Sequence, residues 1–204
     1  MIRPFGEAAL LVELGTADRA QELAASLRAE PLAGIVEGVP GLESVLVELD
    51  PLSTDASRIT DALHERIALL TGAPVRGRLH TISVAYGGGD LGEVASLTGL
   101  TEAEIIELHT ATELRVLFCG FAPGFAYLGE LPPGLRVERL ATPRARTPAG
   151  SVAIAGSMSG IYPADLPGGW LVIGRTTVEL FDPTRDPPAL LVPGDRVRFE
   201  PSAE

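Results

Sequence analysis

GFAPGFAYLGELPPG, running from Gly120 to Gly134, opens the stretch whose reading decides the fold. It continues as TPRARTPAGSVAIAGSMSGIYPADLPGGW from Thr142 to Trp170 and as IGRT from Ile173 to Thr176. Between Gly120 and Trp170 stand nine Gly and seven Pro in 51 residues, yet the segment is not low-complexity. Aromatic residues, arginines and short apolar runs are interleaved through it. Gly admits positive φ and close backbone approach, while Pro fixes φ. So dense a specification of shape implies rigid turns that present something, or a β-barrel rich in tight turns.

Working outward, the runs Arg115–Cys119, Ser151–Ala155, Trp170–Ile173, Val178–Phe181, Ala189–Val192 and Arg196–Phe199 alternate with turns. Short strands at such spacing predict a barrel or sandwich. Two short helices are expected ahead of them, near Leu91–Leu97 and Glu102–Thr110, the second opening on the capping-box pattern Thr101-x-x-Glu104. Nearer the N-terminus, Ala8–Leu14, Ile35–Val39, Ser44–Leu49 and Leu79–Tyr86 read as strands. A helix capped by Asp18 is expected to run to about Ala29, and a second from about Asp55 to Leu70. In the second, Ile59, Leu63, Ile67 and Leu70 fall on one face. The order β-α-β-β-α-β is that of the ferredoxin-like unit. The fold class read from the chain is therefore α+β: a ferredoxin-like βαββαβ domain over residues 1–78, then a β-barrel over residues 79–204.

The net charge is −11. It argues against nucleic acid and anionic membranes as partners. Residues 119–175 nevertheless hold three acids against five arginines, so the informative stretch is locally positive. No apolar run reaches the length of a membrane span, and no secretory signal is evident, which makes the cytoplasm the expected compartment. The chain has no Lys and no Asn. A P-loop lysine, Schiff-base chemistry and a Cys-His-Asn triad are thereby excluded. The single cysteine, Cys119, ends an apolar run and reads as a structural thiol. His64 reads as a surface residue, His80 as the start of a strand, and His109 as a helix-end residue whose positive charge would suit the helix dipole. No two histidines have metal-ligand spacing, so no metal site is expected.

No nucleophile elbow is present, and no catalytic residue is assignable. Arg144 and Arg146 alternate and would face one side of an extended strand, suited to a carboxylate or phosphate or to acids of the protein itself. Backbone N–H groups around Ser151, Gly156 and Gly160 could stabilise developing negative charge. Tyr127 and Tyr162 would shape a substrate pocket. Phe121, Pro123, Phe125, Trp170 and Arg175 are candidates for a cleft or an interface.

The segments GFAPGFAYLG, TPRARTPAGSVAIAG, GIYPADLPGGWLVIGRT and LVPGDRVRF resemble the KipI/allophanate-hydrolase-subunit-1 family, which includes the B-type subunits of bacterial ATP-dependent 5-oxoprolinases. The resemblance covers most of the chain and is strongest from Leu108 to Phe199. It implies that the C-terminal barrel is cyclophilin-like and of the carboxyltransferase type. It also implies a hetero-oligomer with a homologous C-type subunit, and an A-type subunit for full activity. The implied reaction opens 5-oxo-L-proline to L-glutamate. ATP, the co-substrate, would phosphorylate the lactam so that water can open it. Two other roles within the family stay open: a non-catalytic binding subunit or histidine-kinase inhibitor, and a subunit of a urea- or allophanate-type carboxyltransferase or amidohydrolase. For the latter, a biotin attachment site is ruled out in this chain by the absence of lysine. The chain departs from the family pattern at Ala126, where Pro is usual, and at Met158, where Gln is common.

Overall fold

The computed structural model describes residues 1–52 and 56–202. The chain divides into two compact units, Met1–Arg76 and Gly77–Glu204.

The first unit runs β1 (Ile2–Pro4), β2 (Ala9–Glu13), α1 (Ala17–Ala29), β3 (Ile35–Pro40), β4 (Ser44–Leu49) and α2 (Ala56–Ala68). Its sheet has the order β1-β2-β4-β3, antiparallel throughout. Period-2 alternation turns Leu10 and Val12 of β2 and Val45, Val47 and Leu49 of β4 to the buried face. Against them α1 packs Ala20, Leu23, Ala24 and Leu27, and α2 packs Ile59 and Leu63, with Ile67 and Leu70 partly buried beside them. Each large apolar side chain so buried contributes about 1.5–3 kcal/mol. The cap of α1 is Thr16, whose hydroxyl accepts from the Arg19 N–H at 3.3 Å. Asp18, expected as the cap, lies within the first turn, where its charge still favours the helix dipole. The expected start of α2 at Asp55 falls outside the described residues.

The βαββαβ expectation is corrected in its last strand. β5 (Leu79–Tyr86) belongs to the second unit and does not return to this sheet. The edge of β2 that a closing strand would take is filled by β1, paired as Ile2 with Val12 through Pro4 with Leu10. Three residues, Ile-Arg-Pro, are too short for an alternating pattern to show, but they satisfy that edge's backbone groups.

The second unit continues through α3 (Leu91–Thr98), α4 (Glu102–Ala111), β6 (Glu113–Cys119), β7 (Ala126–Gly129), β8 (Arg144–Thr147), β9 (Ser151–Ala155), β10 (Met158–Ile161), β11 (Leu166–Gly168), β12 (Leu171–Arg175) and β13 (Arg196–Pro201). Seven strands close a barrel in the order β10-β7-β6-β13-β5-β12-β9, and β8 pairs with β11 beside it. Among the described strands only β5 and β13 run parallel. The barrel interior is apolar, with Ile82, Val84, Leu114, Val116, Leu128, Ile154, Val197 and Phe199 in one cluster. The capping box of α4 is present, Thr101 and Glu104 each holding the other's backbone N–H. Two expected strands, Val178–Phe181 and Ala189–Val192, meet only in a single bridge between Phe181 and Ala189. Pro183, Pro187, Pro188 and Pro193 remove the donors a longer ladder would need.

Candidate functional site

A cleft of about 490 Å³ opens on the barrel unit, lined in part by Tyr86, Gly88, Asp90, Arg144, Ser151 and Arg175. The loop Gly87-Gly88-Gly89 leads from β5 into α3 and lies flat on β12. A Cβ at Gly88 would sit 2.6 Å from the Val172 carbonyl oxygen and from the Gly174 nitrogen, so no other residue fits there. The close approach brings Asp90 under the cleft wall. Its Oδ1 accepts from Arg144 Nη2 at 2.5 Å, and its Oδ2 accepts from the Val172 N–H at 2.7 Å. Arg144 also donates to the Trp170 carbonyl at 3.2 Å. Asp90 is buried, so this pair is a fixed strut whose desolvation is offset only while all its partners are present.

Arg175 lines the same cleft and donates to the Ala149 carbonyl at 3.2 Å. Among the described residues it has no carboxylate within ion-pair distance. The cleft thus holds one cation in a short ion pair and a second, Arg175, that bonds a backbone carbonyl and acts on Asp165 only at longer range, beside Thr147 and buried Ser151. That arrangement suits a small anion held by a charge-assisted hydrogen bond.

Arg146 departs from its expected companion. Its side chain is 74% exposed and forms a forked ion pair with Asp165 through Nε at 2.9 Å and through Nη2. Asp165 also accepts from the Ala149 N–H, and this bond first, then Arg146, holds its carboxyl below the usual carboxylate range. Arg146 does not line the cleft. β8 pairs irregularly with β11 between Leu166 and Gly168, and Arg144 and Arg146 find separate partners.

A buried polar line runs inward from the cleft. The Tyr86 hydroxyl lies 2.7 Å from His109 Nδ1, and His109 Nε2 lies 3.0 Å from Ser159 Oγ. Ser159 in turn donates to the Ala153 carbonyl at 3.3 Å. His109 is fully buried and stacks on Phe199 with ring centres 4.5 Å apart. This corrects the expectation of a helix-end cation. Burial drives its pKa down to about 3, so the ring is neutral. Burial likewise raises the Tyr86 hydroxyl, which stays protonated.

The other tyrosines lie elsewhere. Phe121, Phe125, Tyr127, Tyr162 and Trp170 form an aromatic pocket of about 280 Å³, with Arg139 on its wall. Phe125 is its hub, edge-on to Phe121, Tyr127, Tyr162 and Trp170 at 5.0–5.7 Å. Gly160 lies beneath two of these rings, since a Cβ there would come within 3.1 Å of both Phe125 and Trp170. Phe121 is 58% exposed and holds φ of 72°, a strained backbone for a residue with a side chain. Pro123 is exposed in the turn between Phe121 and Phe125. Gly156 sits in the β9–β10 turn and lines neither cavity. Ala126 is buried in β7, and Met158 is half-buried in β10 opposite Gly129.

The structure thus gathers Arg144, Ser151 and Arg175 in the arginine cleft and Phe121, Phe125, Tyr127, Tyr162 and Trp170 in the aromatic pocket, and leaves Arg146, Gly156 and Pro123 outside both linings. Sequence reasoning assigned no role to Asp90, gave Ser159 only a backbone place in a Gly-rich turn, and placed Tyr86 only in a strand; His109 was noticed but misassigned. Cys119 is half-buried with its thiol pushed up to about 11 by burial and by Asp195, which fits a structural residue. His80 pairs with Asp195 at 3.0 Å, and His64 is exposed. Among the described residues no group of three or more His, Cys, Asp or Glu could hold a metal. No described helix is long and apolar enough to cross a membrane.

Residues 1–191 match the family described as carboxyltransferase domain, subdomain C and D, and the chain belongs to that family. Among its relatives, it is 43% identical to the B-type subunit of the 5-oxoprolinase of Escherichia coli O157:H7, covering 98% of this chain and 95% of that one. Among solved structures, it is 38% identical to TTHA0988 with a TM-score of 0.85, over 97% of this chain. It spans 40% of the length of TTHA0988. The Kluyveromyces lactis urea carboxylase shares the fold at a TM-score of 0.81 and 22% identity, covering 99% of this chain and 22% of that one.

Proposed function

We propose that this chain is the B-type subunit of an ATP-dependent 5-oxoprolinase, a hydrolase that opens 5-oxo-L-proline to L-glutamate. The near-full-length similarity to a B-type subunit of that enzyme carries the reading. The arginine cleft supports it chemically. 5-Oxoproline is a small lactam with one carboxylate, and Arg175 is a cation with no ion-paired carboxylate among the described residues. In this reading Arg175 holds the substrate carboxylate, Arg144 keeps the cleft wall in place through Asp90, and Ser151 and the Gly87–Gly89 backbone border the lactam. ATP serves the complex as co-substrate. Phosphorylation of the lactam oxygen makes the amide carbon a better electrophile, and attack by water then breaks the C–N bond, giving glutamate and phosphate. The enzyme is completed by an A-type and a homologous C-type subunit. The aromatic pocket, with exposed Phe121 and Pro123, is assigned to the contact with one of these partners. The barrel is read as cyclophilin-like and the first unit as a ferredoxin-like variant whose closing edge is filled by β1.

The test is reconstitution. The chain is co-expressed with its C-type and A-type partners, and 5-oxoproline-dependent ATP hydrolysis is measured, with urea as the control substrate. Turnover that needs all three proteins is expected. Absence of 5-oxoproline-dependent turnover in the assembled complex overturns the reading.

A further inference from the structure

Three barrel strands set a row of side chains along the cleft. Arg175 in β12 stands opposite Ser151 in β9 on one side and opposite Ala85 in β5 on the other. Directly opposed residues of antiparallel strands point to the same face. That face is the outer one, because Val84 and Val152, the chain neighbours of Ala85 and Ser151, point into the barrel core. Ala85, Arg175 and Ser151 all line the cleft. The Arg175 guanidinium runs to the turn ahead of Ser151, where it donates to the Ala149 carbonyl.

Ser151 is the member of the row without a structural task. Its N–H, expected from the sequence to face an anion, is taken by the Pro148 carbonyl at 3.2 Å. Its hydroxyl has no hydrogen-bond partner among the described residues, although the residue is only 1% exposed. Unlike Thr147 Oγ1, Ser151 Oγ is not sealed from solvent, so the residue's trace of accessible surface includes that oxygen. A nearly buried hydroxyl with nothing to bond works against folding, and such groups are few in native proteins. This one sits beside a cation. The nearby carboxylate, Asp165, is engaged by Arg146 and by the Ala149 N–H. A ligand carboxylate can only accept, so it takes the hydroxyl proton and a guanidinium N–H together.

We propose that Ser151 Oγ is the second anchor of the substrate carboxylate, shared with Arg175, and that this cross-strand pair makes the cleft select a carboxylate over its neutral amide. The proposal rests on the 5-oxoprolinase reading and deepens it, giving Ser151 a bond to one named group in place of a bordering role. A mobile guanidinium attracts any anion. A short hydroxyl on the neighbouring strand fixes where the carboxylate oxygens lie, and with them the lactam ring.

The experiment uses 5-oxoproline and its carboxamide, titrated calorimetrically into the reconstituted complex with the wild-type chain and with Ser151→Ala. Affinity for 5-oxoproline should fall about tenfold or more, as for other hydrogen bonds to charged groups, and the preference for carboxylate over carboxamide should shrink with it. The thermal midpoint of the full chain should not fall, because the hydroxyl bonds nothing in the free protein. The double variant Ser151→Ala/Arg175→Ala should lose less than the product of the two single losses, since both groups hold one carboxylate. Unchanged 5-oxoproline affinity in Ser151→Ala, an equal loss for both probes, or a lowered midpoint overturns the proposal and leaves the 5-oxoprolinase reading standing. Losses that multiply in the double variant overturn it too, by placing the two groups on separate parts of the ligand. No binding of 5-oxoproline to the wild-type complex overturns both the proposal and the reading.

Discussion

The arginine cleft and the aromatic pocket both draw on the Gly- and Pro-rich stretch, yet they are held together in different ways. The pocket is local: its five rings all fall between Phe121 and Trp170 and touch one another edge to edge. The cleft is assembled over distance. Arg144 is set by Asp90, 54 residues earlier, and Tyr86 is tied to His109 and through it to Ser159. Ring packing tolerates change by degrees, because each contact is weak and undirected. A buried polar set fails as a unit, because removing one partner strands the rest. Substitutions in the two regions should therefore behave differently.

The largest effect is expected from Asp90→Ala. It leaves Arg144 half-buried without its counter-ion and the Val172 N–H without an acceptor, and should cost about 3–5 kcal/mol. Urea denaturation measures it. A loss under about 1 kcal/mol would show that water replaces the carboxylate freely and that the cleft wall is no strut.

A smaller effect comes from acid. The folded-state pKa of His109 is lowered from 6.5 to about 3, so over that interval the unfolded chain binds a proton the folded chain does not. Stability should therefore be unaffected by this residue above pH 6.5 and fall as the pH drops toward 3. The slope is about 1.4 kcal/mol per pH unit, or roughly 2 kcal/mol lost by pH 5. His109→Gln should flatten that slope in thermal melts between pH 7 and pH 4.5. An unchanged slope would assign the acid sensitivity to other groups.

The same contrast explains what was legible in the sequence. Elements with a local signal announced themselves: β9 as a short apolar run at Ser151–Ala155, and α4 by its capping box. The aromatic pocket was visible as a group of rings because its members are near neighbours in the chain. The cleft was half visible. Arg144, Ser151 and Arg175 were named, but Asp90 carries no local signal of its partner, and the proximity of Tyr86, His109 and Ser159 exists only after the barrel closes. His109 was misread because its place at a helix end says nothing of the barrel core it fills. β1 and the destination of β5 were missed for a related reason: pairing partners are chosen by tertiary geometry, and the period of a strand does not name its neighbour.

The smallest effect sharpens the division between the cleft and its surroundings. Arg144 and Arg146 are two residues apart in one strand, and both bind an aspartate. Arg146 and Asp165 pair in solvent, where salt and side-chain entropy cancel most of the attraction. Arg146→Ala should leave the denaturation midpoint and the KM for 5-oxoproline at their wild-type values. Arg175→Ala is the internal comparison. It removes the cation that has no ion-paired carboxylate among the described residues and should raise KM about tenfold or more while leaving the midpoint unchanged. If Arg146→Ala raised KM as much as Arg175→Ala, the anion would be held outside the cleft, on the face that Arg146 shares with Asp165. The distinction between a structural ion pair and a ligand-binding cation would then have to be redrawn around Asp165 as the group that yields its arginine to the substrate.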